Sequence, residues 1–143
     1  MASIKRRASA EWQGSGKDGK GSLTTQSATL KDTPYSYTAR FGDGKGTNPE
    51  ELIAAAHAGC FSMATAFQLS GAGHAPESLH CDATLTMEQD GAGWKIAAVH
   101  LVLKAKAPGL DNATFQDLVA GAKANCPVSK VLNATITLDA TLE

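Results

Sequence analysis

A chain of 143 residues with a formal net charge of -1, 43% hydrophobic and 19% charged residues has the composition of an ordinary soluble globular protein of one domain, which excludes the disordered and fibrous classes. The even charge balance offers no concentrated basic face for nucleic acid or an anionic membrane, and Lys5-Arg6-Arg7 is too short a run to change that. No continuous apolar stretch reaches the roughly 18 residues of a membrane helix and the N-terminus lacks a signal-type apolar core, so a cytoplasmic location is expected; there, three cysteines speak for redox chemistry, catalysis or packing rather than a disulfide framework.

Three short segments open the chain, 3 to 12, 22 to 29 and 33 to 41, separated by a glycine-rich turn from Gln13 to Gly21 and another at Lys31-Asp32. They predict a meander of strands. A bend at Gly42, Gly44 and Gly46 leads into the longest helical pattern: Asn48 is a cap, Pro49 suits the first helical position, and Glu51 at the third completes a capping box. The helix is expected to run to about Leu69 and stop at Gly71 and Gly73. Its many apolar residues predict burial, including burial between subunits. Segments 78 to 88 and 94 to 106 alternate, with Cys81 among the inward residues of the first and Val99, Leu101 and Leu103 of the second, and Asp90-Gly91 makes them a hairpin. Asp111 caps a helix ending near Asn125, Cys126-Pro127 restarts a short one to about Leu132, and Ile136, Leu138, Ala140 and Leu142 mark a closing strand. With no internal repeat or linker, this predicts one α+β domain over 1 to 143.

Few residues here can carry chemistry. Cys60 lies mid-helix on the face marked by Ile53, Ala56, Met63 and Phe67, where a cysteine is ordinarily core. Cys126 precedes Pro127, so its sulfur would cap a helix and face unpaired amides, which lowers a thiol's pKa. Local physics therefore favours Cys126 over Cys60 as the thiolate. Cys81, between Leu79 and Ala83 on an apolar strand face, reads as inert packing. Arg40 stands beside the glycine-rich bend, either reaching into a pocket or simply on the surface. Glu50 is the freer of the two first-turn carboxylates because Glu51 has a capping role. His57, one turn before Cys60, is either a general base or a hydrogen-bonded core histidine. The Gly42-to-Thr47 run lacks phosphate-loop spacing, and His57, Cys60, Cys81 and Cys126 lack the paired short spacing of a zinc site, so neither nucleotide, metal nor other cofactor is expected.

Taken together, Thr47-Asn48-Pro49-Glu50-Glu51-Leu52-Ile53-Ala54-Ala55-Ala56-His57-Ala58-Gly59-Cys60-Phe61-Ser62-Met63-Ala64 resembles the central helix of the OsmC family of osmotically inducible hydroperoxide peroxidases. Lys123-Ala124-Asn125-Cys126-Pro127-Val128-Ser129-Lys130-Val131-Leu132 resembles that family's second-cysteine segment. The Ala56-to-Cys60 run and Thr38-Ala39-Arg40-Phe41 are similar to the OsmC branch rather than the organic hydroperoxide resistance branch. The resemblance implies an α+β fold of curved antiparallel sheets packed on a long buried helix, in an intertwined homodimer. It also implies a thiol peroxidase acting on organic hydroperoxides, with Cys60 as attacking thiol, Cys126 as resolving thiol, and Arg40 with Glu50 activating the thiolate. An external dithiol, of lipoyl type in the family, would reduce the resulting disulfide. The assignment reverses the local ranking of the two cysteines.

Two other functions remain on the residues alone: a redox-sensing or hydrophobic-ligand binding protein without turnover, and a thiol hydrolase using Cys60 and His57. Helix geometry adds one expectation. Ten residues at about 1.5 Å each separate Glu50 from Cys60 by roughly 15 Å along the axis, so a Glu50 that serves Cys60 comes either from the partner chain or across a sharp helix break. No internal proline or paired glycine before Gly59 marks such a break, so the partner chain is expected.

Overall fold

The computed structural model describes residues 2–143. Its contacts fall into two compact units, one up to Leu52 and the other from Ile53 to the end.

The first unit is a three-stranded antiparallel sheet followed by a short helix. Strand β1 (Ala8–Gln13) pairs with β2 (Lys20–Thr25), and β2 with β3 (Thr33–Tyr35). The order is the expected meander, but the strands are shorter. The second stops at Thr25 because the backbone closes a tight loop there: Ala28 N–H bonds Thr25 O at 2.9 Å, and Ala28 adopts a positive φ of 61°. The third stops at Tyr35, since Ser36 caps helix α1 (Tyr37–Phe41) by accepting from Ala39 N at 3.2 Å. Arg40 is therefore helical, not strand-borne, a correction to the extended segment expected over 33 to 41. Gly21 is required where it stands: a Cβ there would run into the rings of Tyr35 and Trp12.

Helix α2 (Pro49–Gly71) begins as the sequence predicts, with Asn48 Oδ1 accepting from Glu51 N at 2.8 Å. The Glu51 carboxylate, however, accepts from Thr47 Oγ1 at 2.7 Å instead of closing a capping box on Asn48. Only one stripe of α2, His57, Phe61, Thr65 and Leu69, is buried, the four-residue spacing of a single helix face. Met63 is 64% and Phe67 73% exposed, so the expected all-round burial does not hold within the protomer, and the face on which the sequence pattern placed Cys60 is not the core face. The 23-residue helix is also long and apolar enough to cross a membrane by length and composition. That corrects the count of continuous apolar runs, which scattered small polar residues had broken up.

The second unit is built on a sheet of order β4-β5-β6. Strands β4 (Ser78–Asp90) and β5 (Gly93–Lys106) form the expected hairpin, with Gly91 at a φ of 63° in the turn. Helices α3 (Asn112–Asn125) and α4 (Pro127–Val131) then carry the chain to β6 (Thr135–Leu142), which pairs with β5 in parallel. The sheet is thus mixed, where antiparallel sheets were expected, because a strand reached through a helical crossover returns in the same direction. Val99, Leu101, Leu103 and Ala105 of the central strand join Phe61 and Leu69 of α2, Phe115, Val119 and Ala122 of α3, and Cys126 in one buried cluster. Each large apolar side chain there contributes about 1.5–3 kcal/mol by leaving water.

Candidate active site

Two pairs of side chains stand out, one in each unit. In the first, the Arg40 guanidinium clamps the Glu50 carboxylate through two hydrogen bonds, Nε to Oε1 at 2.8 Å and Nη2 to Oε2 at 3.0 Å. Such a fork is geometrically specific and strong for its kind. Asn48 sets it up from both sides: while its Oδ1 caps α2, its Nδ2 donates to Ala39 O at 3.1 Å, joining the helix carrying Glu50 to the one carrying Arg40. Because Thr47 occupies Glu51, Glu50 is left for the arginine. Arg40 also lies over the Phe41 ring at 5.2 Å and borders a cavity of about 230 Å³ lined by Trp12, Tyr35 and Tyr37. The guanidinium is thus oriented, while the Arg40 side chain as a whole is still 40% exposed.

In the second unit, the sulfurs of Cys60 and Cys126 lie 2.7 Å apart with both thiols free, beyond the roughly 2.05 Å of a disulfide but within reach of one. Residues 66 apart in sequence meet here. Phe61 and Leu69 anchor α2 in the core, and Cys126 is fully buried at the junction of α3 and α4. Burial, then the neighbouring Cys126, raises the pKa of Cys60. At Cys126 burial also acts upward, but bonds from Cys60, from the Ser129 amide and hydroxyl and from the Val128 amide outweigh it, and the pKa is lowered. Within one protomer the order is therefore that of the local argument, with the thiol at the N-cap position the better thiolate, though its side chain makes no cap hydrogen bond.

His57 is fully buried, with Nε2 2.8 Å from Ser129 Oγ and no partner for Nδ1. Burial lowers its pKa. Cys81 is a third free thiol, packed against the same core, its pKa pushed up to about 11 first by burial and then by the Asp82 carboxylate. Among the described residues no group of three or more His, Cys, Asp or Glu side chains is arranged to hold a metal. Ser129 is the residue that sequence reasoning passed over. The signal was present, since it sits three positions beyond a capping residue, where a side chain reaches back to the cap.

The OsmC-like protein family model matches residues 42–141. This chain belongs to the OsmC-like family. It is 46% identical over 136 residues to the peroxiredoxin OsmC of Escherichia coli, covering 95% of each chain. It is 31% identical over 129 residues to an organic hydroperoxide resistance protein of Xanthomonas axonopodis, covering 89% of this chain and 87% of that one. Among solved structures, the organic hydroperoxide resistance protein OsmC of Legionella pneumophila superposes with a TM-score of 0.72 at 25% identity over 99% of both chains. The α+β architecture, two small sheets with a long helix, is thus the family's.

Proposed function

We propose that the protein is a thiol-dependent peroxidase that reduces organic hydroperoxides to alcohols, working in the cytoplasm as a homodimer. The observation that carries this reading is the pair of free, almost touching sulfurs of Cys60 and Cys126, in a chain whose relatives are named a peroxiredoxin and a hydroperoxide resistance protein.

The Cys60 thiolate attacks one peroxide oxygen; an S–O bond forms, the O–O bond breaks, and the alkoxide leaves and takes a proton to become the alcohol. Cys126 then attacks the sulfenic acid, forming the S–S bond and releasing water. An external dithiol, of lipoyl type, returns both thiols by exchange. Apolar surroundings favour alkyl hydroperoxides over hydrogen peroxide.

The first step needs a positive charge, because among the described residues no cation enters the balance that raises Cys60. The Arg40–Glu50 fork supplies it in this reading, from the partner chain. The exposed Met63 and Phe67 of α2 support such a dimer, since large apolar side chains on one helix mark a surface that gains by being covered. Glu50 holds the guanidinium in place, and Arg40 stabilises first the thiolate and then the departing alkoxide.

The test is consumption of cumene or t-butyl hydroperoxide against hydrogen peroxide, with dihydrolipoamide or thioredoxin as reductant. Sustained turnover with a dithiol is expected. A single stoichiometric oxidation without turnover would replace the enzyme with a redox sensor. Mixed dimers of Cys60→Ser and Glu50→Ala subunits test the shared site: service across the interface restores about half the wild-type sites. A mixed dimer no more active than the Glu50→Ala homodimer places the site within one chain.

A further inference from the structure

The buried histidine has no part in the chemistry above, yet it is connected to it. From His57 Nε2 the path runs 2.8 Å to Ser129 Oγ; Ser129 is the third residue of the helix whose N-cap is Cys126, the position from which a side chain reaches back toward the cap, and the Cys126 sulfur lies 2.7 Å from that of Cys60. His57 and Phe61 sit on the buried stripe of α2, one turn apart, so the ring is held by the packing that anchors the Cys60 helix. Ser129 lies on α4, which begins immediately after Cys126. The chain of contacts therefore ties both helices that carry the thiols.

The direction of the hydrogens follows from what each atom can do. A serine hydroxyl has one hydrogen and accepts others. For that hydrogen to point at a sulfur, the neighbouring nitrogen must be the donor, so Nε2 carries the hydrogen and Nδ1 is bare. Nδ1 is the buried atom without a partner, and a buried N–H left unpaired costs more than a lone pair left unpaired. Burial also keeps the imidazole neutral, since it lowers the pKa.

We propose that His57 and Ser129 are positioning residues for the resolving step: neutral His57 donates from Nε2 to Ser129 Oγ, which turns the serine hydroxyl onto the Cys126 sulfur and readies it to attack oxidised Cys60. The proposal rests on the peroxidase reading for its place in a cycle, though not for its chemistry. In the step, the S–S bond forms between Cys126 and Cys60, the S–O bond of the sulfenic acid breaks, and the thiol hydrogen of Cys126 leaves with the hydroxyl as water. The serine hydroxyl stabilises the negative charge that gathers on Cys126 as its hydrogen moves away, and His57 keeps that hydroxyl from turning to another acceptor. Neither residue is consumed and no further oxidant is needed beyond the peroxide that made the sulfenic acid.

The experiment is a single oxidation with stoichiometric cumene hydroperoxide and no reductant, quenched at intervals by acid and alkylation. Intact mass separates reduced protein, sulfenic acid (one oxygen added) and disulfide (two hydrogens lost). The oxidation of Cys60 in the same trace is the internal reference. In Ser129→Ala and His57→Leu, disulfide closure is expected to slow about tenfold relative to oxidation, the scale of one hydrogen bond to a charged group. Ser129→Thr, which keeps a hydroxyl, and His57→Gln, which keeps a terminal donor, are expected to restore most of the rate. Recovery of that kind distinguishes hydrogen-bond donation from packing. Closure at the wild-type ratio in Ser129→Ala overturns the proposal, as does equal slowing in Ser129→Thr. Should His57→Leu fail to fold, the two serine variants still decide. If the wild type closes its disulfide but does not turn over with dithiols, the peroxidase reading falls and the positioning roles stand. If no Cys60–Cys126 disulfide forms at all, both fall.

Discussion

The Arg40–Glu50 pair and the Cys60–Cys126 pair are assembled by opposite routes. Arg40 and Glu50 are ten residues apart, and the fork joins the last turn of α1 to the first turn of α2, which Asn48 ties together. Cys60 and Cys126 are 66 apart, and they meet only because a sheet and two helices share one core. The contrast teaches where each pair's chemistry comes from. A local ion pair, partly open to water, is an oriented charge made by neighbours in the chain. A long-range buried thiol pair is tuned by desolvation and by whichever donors the fold has brought beside each sulfur.

Variants should therefore fail differently. The largest effect is expected from Cys60→Ser, which removes turnover, a loss of more than about a thousandfold for a nucleophile. Cys126→Ser should still consume one equivalent of hydroperoxide and stop at a sulfenic acid, as mass spectrometry will show. A bridge to Cys81 in either variant would break the pairing.

Next comes Arg40→Met. Removing the charge should slow oxidation of Cys60 by about a hundredfold and move its alkylation profile to higher pH, because the guanidinium favours the thiolate. An unchanged profile would mean that the first pair does not serve the second.

Smaller effects sharpen the comparison on the side of stability. Asn48→Ala should cost about 1 kcal/mol through the lost cap. Since the same side chain holds Ala39, it should also lower activity more than a cap alone explains; Tm and hydroperoxide turnover, measured together, check this. The buried histidine gives a pH signature. Its folded pKa is depressed below 6.5, so its neutral form is common to folded and unfolded chains above that value. Below about 6.5 the unfolded chain takes up a proton that the folded chain resists, and stability should fall as pH drops through that range. Tm against pH should show a shallower fall in His57→Gln than in the wild type. The least effect is expected at Cys81, where Ser should keep most of the activity. With a pKa near 11, that thiol should be the slowest of the three to alkylate at neutral pH once the other two are reactive.

Sequence alone determined what depends on neighbours in the chain. The cap at Asn48, the hairpin at Asp90-Gly91, the alternation of β4 and β5, and the capping position of Cys126 all rest on interactions spanning a few residues, and each stands where the pattern placed it. The family could be read too, because its two cysteine motifs are long. The expected segment over 33 to 41 failed within that same range, where one serine cap outweighed a run of strand formers. What only the tertiary structure decided is which face of α2 meets the core and who stands beside each sulfur. An apolar helix surface does not say which of its stripes the sheet will cover, so Met63 and Phe67 looked as buried as Phe61. Nor does a serine near a cysteine announce that a histidine 72 residues away will hold its hydroxyl. Those contacts exist because β5 and its crossover bring α4 back beside α2, and no local interaction encodes that return.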